Sequence, residues 1–114
     1  MPRDDASYLL DMLLAARDAV HFATGLTYTQ FKQSRLHQNA ILKAIEIIGE
    51  AAARISAETK LAHWDITWQA IIGMRNRFVH AYFELNPKRV WDTVQRDLPR
   101  LITLIESLIP PEET

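Results

Sequence analysis

The residues best equipped for chemistry lie together in Arg75-Asn76-Arg77-Phe78-Val79-His80-Ala81-Tyr82. Histidine exchanges protons near neutral pH, so it can serve as general base or general acid. Arginine keeps its charge, and its planar fork matches the oxygens of a phosphate. Together these groups suit cleavage of a ribose phosphodiester without a metal. A base takes the 2′-hydroxyl proton, the freed oxygen attacks phosphorus, and an acid protonates the departing 5′-oxygen. A guanidinium steadies the extra charge on phosphorus.

The spacing places these groups on a helix. At about 100° per residue, Arg75 falls in the middle of an apolar face made by Trp68, Ile71, Ile72, Phe78, Val79 and Tyr82. A charged group there requires an internal carboxylate or a surface facing a partner or ligand. Asn76 and His80 are four residues apart and share one edge of the helix. Gly73 lies on that edge and leaves room for a phosphate or a second helix. Arg75 points about 140° away from His80 on an ideal helix, so a single copy makes a poor site. Two copies meeting along the apolar face would gather two arginines and two histidines around one cleft.

Each of these residues also has a purely structural reading. Arginine, four residues, histidine recurs by chance in many helices. His80 then caps or decorates a surface, Arg75 pairs with a carboxylate of helix two such as Glu46, and Tyr82 fills the core with its hydroxyl at the rim.

The rest of the chain must position this segment. Its 114 residues make one domain, 1–114, with enough apolar sequence for a single core. Three glycines, and prolines near the ends of apolar segments, favour an all-α fold. The absence of cysteine excludes disulfides and thiolate metal sites. The acidic start lacks an apolar leader core and no apolar run is long enough to span a bilayer, so a cytoplasmic protein that makes no use of a membrane is expected. His21, His37 and His63 lack metal-ligand spacing, and no cofactor is expected. A formal net charge of −1 argues against a generic polyanion binder. From Met74 to Arg100, however, six Lys/Arg stand against three Asp/Glu, which allows a local positive patch.

The periodicity predicts four principal helices and one short extra, as a small up-down bundle. The first spans about Asp5 to Ala23 and stops at Gly25, with Asp4 and Asp5 favouring its N-terminal dipole. A capping box at Thr27 and Gln30 opens a stretch reaching about Ile55, with a break expected near Gln33 to Leu36. Ile41, Ala44, Ile45, Ile48, Ala51, Ala52 and Ile55 form its stripe, with Glu46 and Glu50 off it. A short turn covers Ser56 to Ala62, and the third helix, capped by Asp65 or Thr67, runs to about Phe83. Asn86-Pro87 starts the last helix, which Pro99 kinks or restarts at Asp97 and Pro110-Pro111 ends. The breadth of the apolar faces favours a homodimer.

The stretch Trp68 to Phe83 resembles the signature of the HepT-like branch of the HEPN superfamily, with arginine, four residues, histidine, one residue, tyrosine at Arg75, His80 and Tyr82. The polar residue after the arginine is present as Asn76. Ile47-Ile48-Gly49-Glu50-Ala51-Ala52 looks like the family's Gly-Glu-Ala segment, and Trp68 to Gly73 like its approach to the motif. Val90-Trp91-Asp92-Thr93-Val94, followed by Asp97-Leu98-Pro99, is similar to its final helix. The resemblance covers nearly the whole chain. It implies a dimeric helical bundle and a toxin of a toxin–antitoxin system. The toxin cuts RNA without metal at a composite site, where Arg75, Asn76 and His80 are the catalytic residues. It also implies an MntA-like nucleotidyltransferase antitoxin that attaches AMP to Tyr82. A non-catalytic module that binds such a nucleotidyltransferase and a nucleotide phosphate is the alternative.

Overall fold

A computed structural model describes residues 4–80 and 86–109, and the side chains of all of these except Val79 and His80. Among the described residues the chain is all-α, without a strand. Helix α1 (Asp5–Ala23) begins where the Asp4 carboxylate accepts the Ser7 amide at 2.9 Å. It ends at Thr24, beyond which Gly25 takes the left-handed conformation (φ 84°). The predicted capping box forms: Thr27 accepts from the Gln30 amide at 3.1 Å, and the Gln30 side chain accepts from the Thr27 amide at 2.9 Å. It opens α2 (Tyr28–Gln33), a helix of under two turns.

The expected break falls at Ser34. Its extended backbone ends α2, and its hydroxyl caps α3 (Arg35–Arg54) by accepting the His37 amide. Ser56 caps α4 (Ala57–Ala62) in the same manner. Asp5 then ties this turn to the start of α1. Its carboxylate accepts from the Ser56 amide (3.0 Å) and from the hydroxyls of Ser56 and Thr59 (both 2.5 Å). Asp5 therefore does more than favour the helix dipole.

Helix α5 (Trp68–His80) is pinned at its start by the Trp68 indole N–H donating to the His63 carbonyl at 3.0 Å. The expected extension to Phe83 lies outside the described residues. Asn86 caps α6 (Pro87–Asp92), with Pro87 in the first turn where no N–H is needed. A single π-helical turn follows (Thr93–Asp97), in which the Leu98 amide reaches back to the Thr93 carbonyl. α7 (Leu98–Glu106) carries Pro99 in its first turn. The predicted disturbance is thus an added residue per turn before Pro99, not a break.

The core follows the predicted stripe. Met12, Leu13, Ala16 and Ala19 of α1 meet Ile41, Ile45, Ile48 and Ala52 of α3, with Phe31, Val94, Leu98 and Ile105 closing the ends. α3 is central, packing on α1 on one side and α5 on the other, and α1 also packs on α7. Trp91 tilts against Phe31 (5.4 Å between ring centres) and Tyr28 (6.1 Å), fixing α2 to α6. α5 and α7 barely touch, so the seam between them stays open.

Candidate active site

Arg75 leaves α5 toward α3 at the one place where α3 has no side chain. A Cβ on Gly49 would overlap the Cβ and Cγ of Arg75. The arginine stem therefore lies directly against the α3 backbone, which explains how a long cation fits within an apolar face. The neighbouring residue of α3 supplies the counter-charge: Arg75 Nη2 lies 3.1 Å from Glu50 Oε1. Glu46, the partner expected on the structural reading, pairs instead with Lys43 at 3.5 Å. Gly49 is thus the clue that selects Glu50.

The guanidinium is not sealed in. The Arg75 side chain keeps 24% exposure and Glu50 keeps 46%, so the pair sits at the surface rim. Exposed ion pairs of this kind contribute about 0–1 kcal/mol, weak enough for a phosphate to replace the carboxylate. Arg75 Nη1 donates to the Asn76 Oδ1 at 3.0 Å. That bond draws the tip of the arginine from its own side of α5 toward the edge that carries Asn76 and His80. Among the described residues, two of the five guanidinium N–H donors find acceptors and the buried Nε has none, which leaves one N–H on each terminal nitrogen.

His80 is the last residue of α5, one turn beyond Asn76. Its side chain lies outside the described residues, and Tyr82 lies outside them entirely. The structure therefore brings Arg75 and Asn76 together and fixes the His80 backbone on their helix. Among the described residues Gly73 serves no packing need, for a Cβ there would meet nothing within 4 Å. Among the described residues no cluster of His, Asp and Glu could hold a metal ion, and no helix is long and apolar enough to cross a membrane.

A family model of HepT-like ribonucleases matches residues 12–108, most of the chain and all of the site. The chain belongs to the HepT-like ribonuclease family. A Methanocaldococcus jannaschii protein named as an RNase is 30% identical, over 91% of this chain and 95% of its own length. A Thermococcus cleftensis protein named as ribonuclease HepT is 33% identical, over 95% of this chain and 98% of its own. A third relative named as an RNase, from Caldanaerobacter subterraneus, is 26% identical over 93% of this chain. No solved structure matches the chain significantly. The Gly49-Glu50 and Arg75-Asn76 pairs, read as two separate family landmarks, form one contact.

Proposed function

We propose that this chain is the toxin of a toxin–antitoxin system, a cytoplasmic homodimeric endoribonuclease that cuts RNA without a metal. The observation that carries this reading is the Arg75 guanidinium at the surface rim. It is held by a displaceable Glu50 and turned by Asn76 toward the edge of His80. In the dimer, Arg75 and His80 of both protomers face one cleft, and the open hollow at Gly73 lets the two α5 helices approach. One His80 takes the proton of the 2′-hydroxyl. The 2′-oxygen bonds to phosphorus, and the bond to the 5′-oxygen breaks. The second His80 gives that oxygen its proton. The products are a 2′,3′-cyclic phosphate and a free 5′-hydroxyl. Arg75 neutralises the charge that builds on the non-bridging oxygens, and Asn76 orients it.

An MntA-like nucleotidyltransferase antitoxin silences the enzyme by transferring AMP from ATP to the Tyr82 hydroxyl, with pyrophosphate leaving. The added phosphate and base then compete with RNA for the same cations. The test pairs cleavage with labelling. Arg75→Ala and His80→Ala abolish RNA cleavage and growth inhibition while the dimer persists, and full cleavage by both would refute the assigned roles. Treatment with the nucleotidyltransferase, ATP and magnesium adds roughly 329 Da per AMP, the increment of one covalent modification. Tyr82→Phe removes that increment, and unchanged labelling refutes the site.

One observation favours the second reading, a non-catalytic module that binds a nucleotidyltransferase and a nucleotide phosphate. Arg75 already has a counter-ion inside its own protomer. Phosphate binding without cleavage by the wild-type chain decides for that reading.

A further inference from the structure

The open seam between α5 and α7 is a trough of about 500 Å³, floored by Met74, Phe78, Leu101 and Leu104. A second hollow of about 340 Å³ continues it along α6 and shares Arg89, Thr93 and Asp97 with it. Four arginines line these two adjoining hollows, which together form the channel: Arg77 on α5, Arg89 on α6, Arg96 on the π turn and Arg100 on α7. All four are exposed, and none has an ion-pair or hydrogen-bond partner among the side chains of the described residues. That sets them apart from the other cations nearby. Lys88 lies 2.7 Å from Asp92 and 5.5 Å from the centre of the Tyr28 ring. Its ammonium, with a smaller contribution from the charge of Arg96, holds the Asp92 carboxyl below the usual carboxylate range. With that pair cancelled, four arginines face Asp65 and Asp97, and the channel is positive.

We infer that this channel binds single-stranded RNA flanking the cleavage site, with phosphates on Arg77, Arg89, Arg96 and Arg100 and bases against the apolar floor. The inference rests on the nuclease reading and extends its substrate contact beyond Arg75 and His80. Three features select a nucleic-acid strand. The cations without a salt bridge are all arginines, whose forks bind phosphate bidentately. They are strung out along the channel, with Arg96 and Arg100 four residues apart, a rise of roughly 6 Å along a helix axis. Trp64 is 81% exposed on the loop before α5, next in the chain to Asp65 at the channel wall. A freely exposed indole of that kind is a stacking platform for a base. Arg77 joins the channel to the site, for it lies about 60° around α5 from His80.

The experiment uses the full chain with the exposed triple change Arg89→Gln/Arg96→Gln/Arg100→Gln, and separately Trp64→Ala. Binding is read by fluorescence anisotropy with a 2′-O-methyl strand of about 12 nucleotides, which cannot be cleaved and is long enough to span such a groove. Cleavage is read on a dinucleoside monophosphate and on an RNA of the same length as the probe. The triple variant is expected to bind the strand roughly tenfold more weakly, with the salt dependence of log K shallower by about two, near 0.7 for each phosphate no longer neutralised. Trp64→Ala weakens binding without changing that slope. Dinucleotide cleavage stays at the wild-type rate in both. Wild-type affinity and slope in the triple variant overturn the channel, while leaving the nuclease reading intact if RNA is still cut. Equal loss of dinucleotide and long-strand cleavage also overturns it, because the changes then act by distorting the site. Unchanged RNA binding with loss of a protein partner reassigns the surface to that protein. Strand binding that depends on the arginines, without cleavage of either substrate, supports the channel and sinks the catalytic reading alone.

Discussion

Gly49→Ala is the most informative single substitution, because its effect follows from one close approach between helices. The added methyl would occupy the space of the Arg75 Cβ and Cγ. The Cβ is fixed to the α5 backbone, so no rotamer change of Arg75 clears it. α3 and α5 must separate, or the Arg75 backbone must shift. Overpacking of a filled interface costs about 1–3 kcal/mol, and a clash with atoms next to the backbone belongs at the upper end. Replacing glycine by alanine inside a helix returns about 0.8–1.0 kcal/mol. The expected net loss is about 1–2 kcal/mol, together with displacement of the guanidinium from Glu50 and Asn76. Gly73→Ala is the internal control: it brings the same gain in helix propensity and meets nothing within 4 Å. Urea unfolding of both variants, repeated at several protein concentrations to separate folding from association, gives the comparison. Gly49→Ala should unfold earlier and lose RNA cleavage, while Gly73→Ala extrapolated to the monomer should be as stable as wild type or more so. A Gly49→Ala protein more stable than wild type, with cleavage intact, would refute the account of how α3 holds Arg75.

Two further predictions concern charge. The Ser56 and Thr59 hydrogen bonds hold the Asp5 carboxyl below its ordinary value of 3.8. Its stabilising contribution is therefore present above the unfolded value near 3.8 and lost as pH falls through the lower folded value. Asp5→Asn should cost about 1–2 kcal/mol at neutral pH, as a charged acceptor is lost, and should flatten the fall in stability below the unfolded value. Unfolding curves that match wild type across that acid range would contradict this. Glu50→Gln keeps an acceptor for Arg75 but removes the competing charge. Stability should change by less than about 1 kcal/mol, and KM for RNA should fall with kcat little altered. A collapse of kcat like that of Arg75→Ala would instead place Glu50 in the chemistry.

The local signals of this fold were legible in the sequence because they are short-range. The Thr27 and Gln30 capping box and the Asn86-Pro87 start act within one or two turns of helix, and the stripe from Ile41 to Ile55 repeats with every turn. What periodicity left open depends on how helices cross. Asp5 suits a helix dipole from its position alone, yet its main partners lie 51 and 54 residues away. Glu46 and Glu50 occupy adjacent turns of one face, and only the close approach at Gly49 decides that Glu50 reaches Arg75. Pro99 signals a disturbance, but the π turn follows from how the helix regains its hydrogen bonds upstream of a residue with no N–H. Arg77, Arg89, Arg96 and Arg100 come from separate elements. The sequence could count them as a surplus of positive charge, and only the open seam between α5 and α7 lines them along one channel.

The most direct measurement of the central claim is the chemistry of the cut ends. Purified wild-type chain, stripped of metal and incubated with single-stranded RNA in excess EDTA, is analysed by mass spectrometry of the fragments. The account predicts 2′,3′-cyclic phosphate on the upstream fragment and a free 5′-hydroxyl on the downstream one, both absent with His80→Ala. Intact RNA under these conditions, with cleavage restored by a divalent metal, would contradict it.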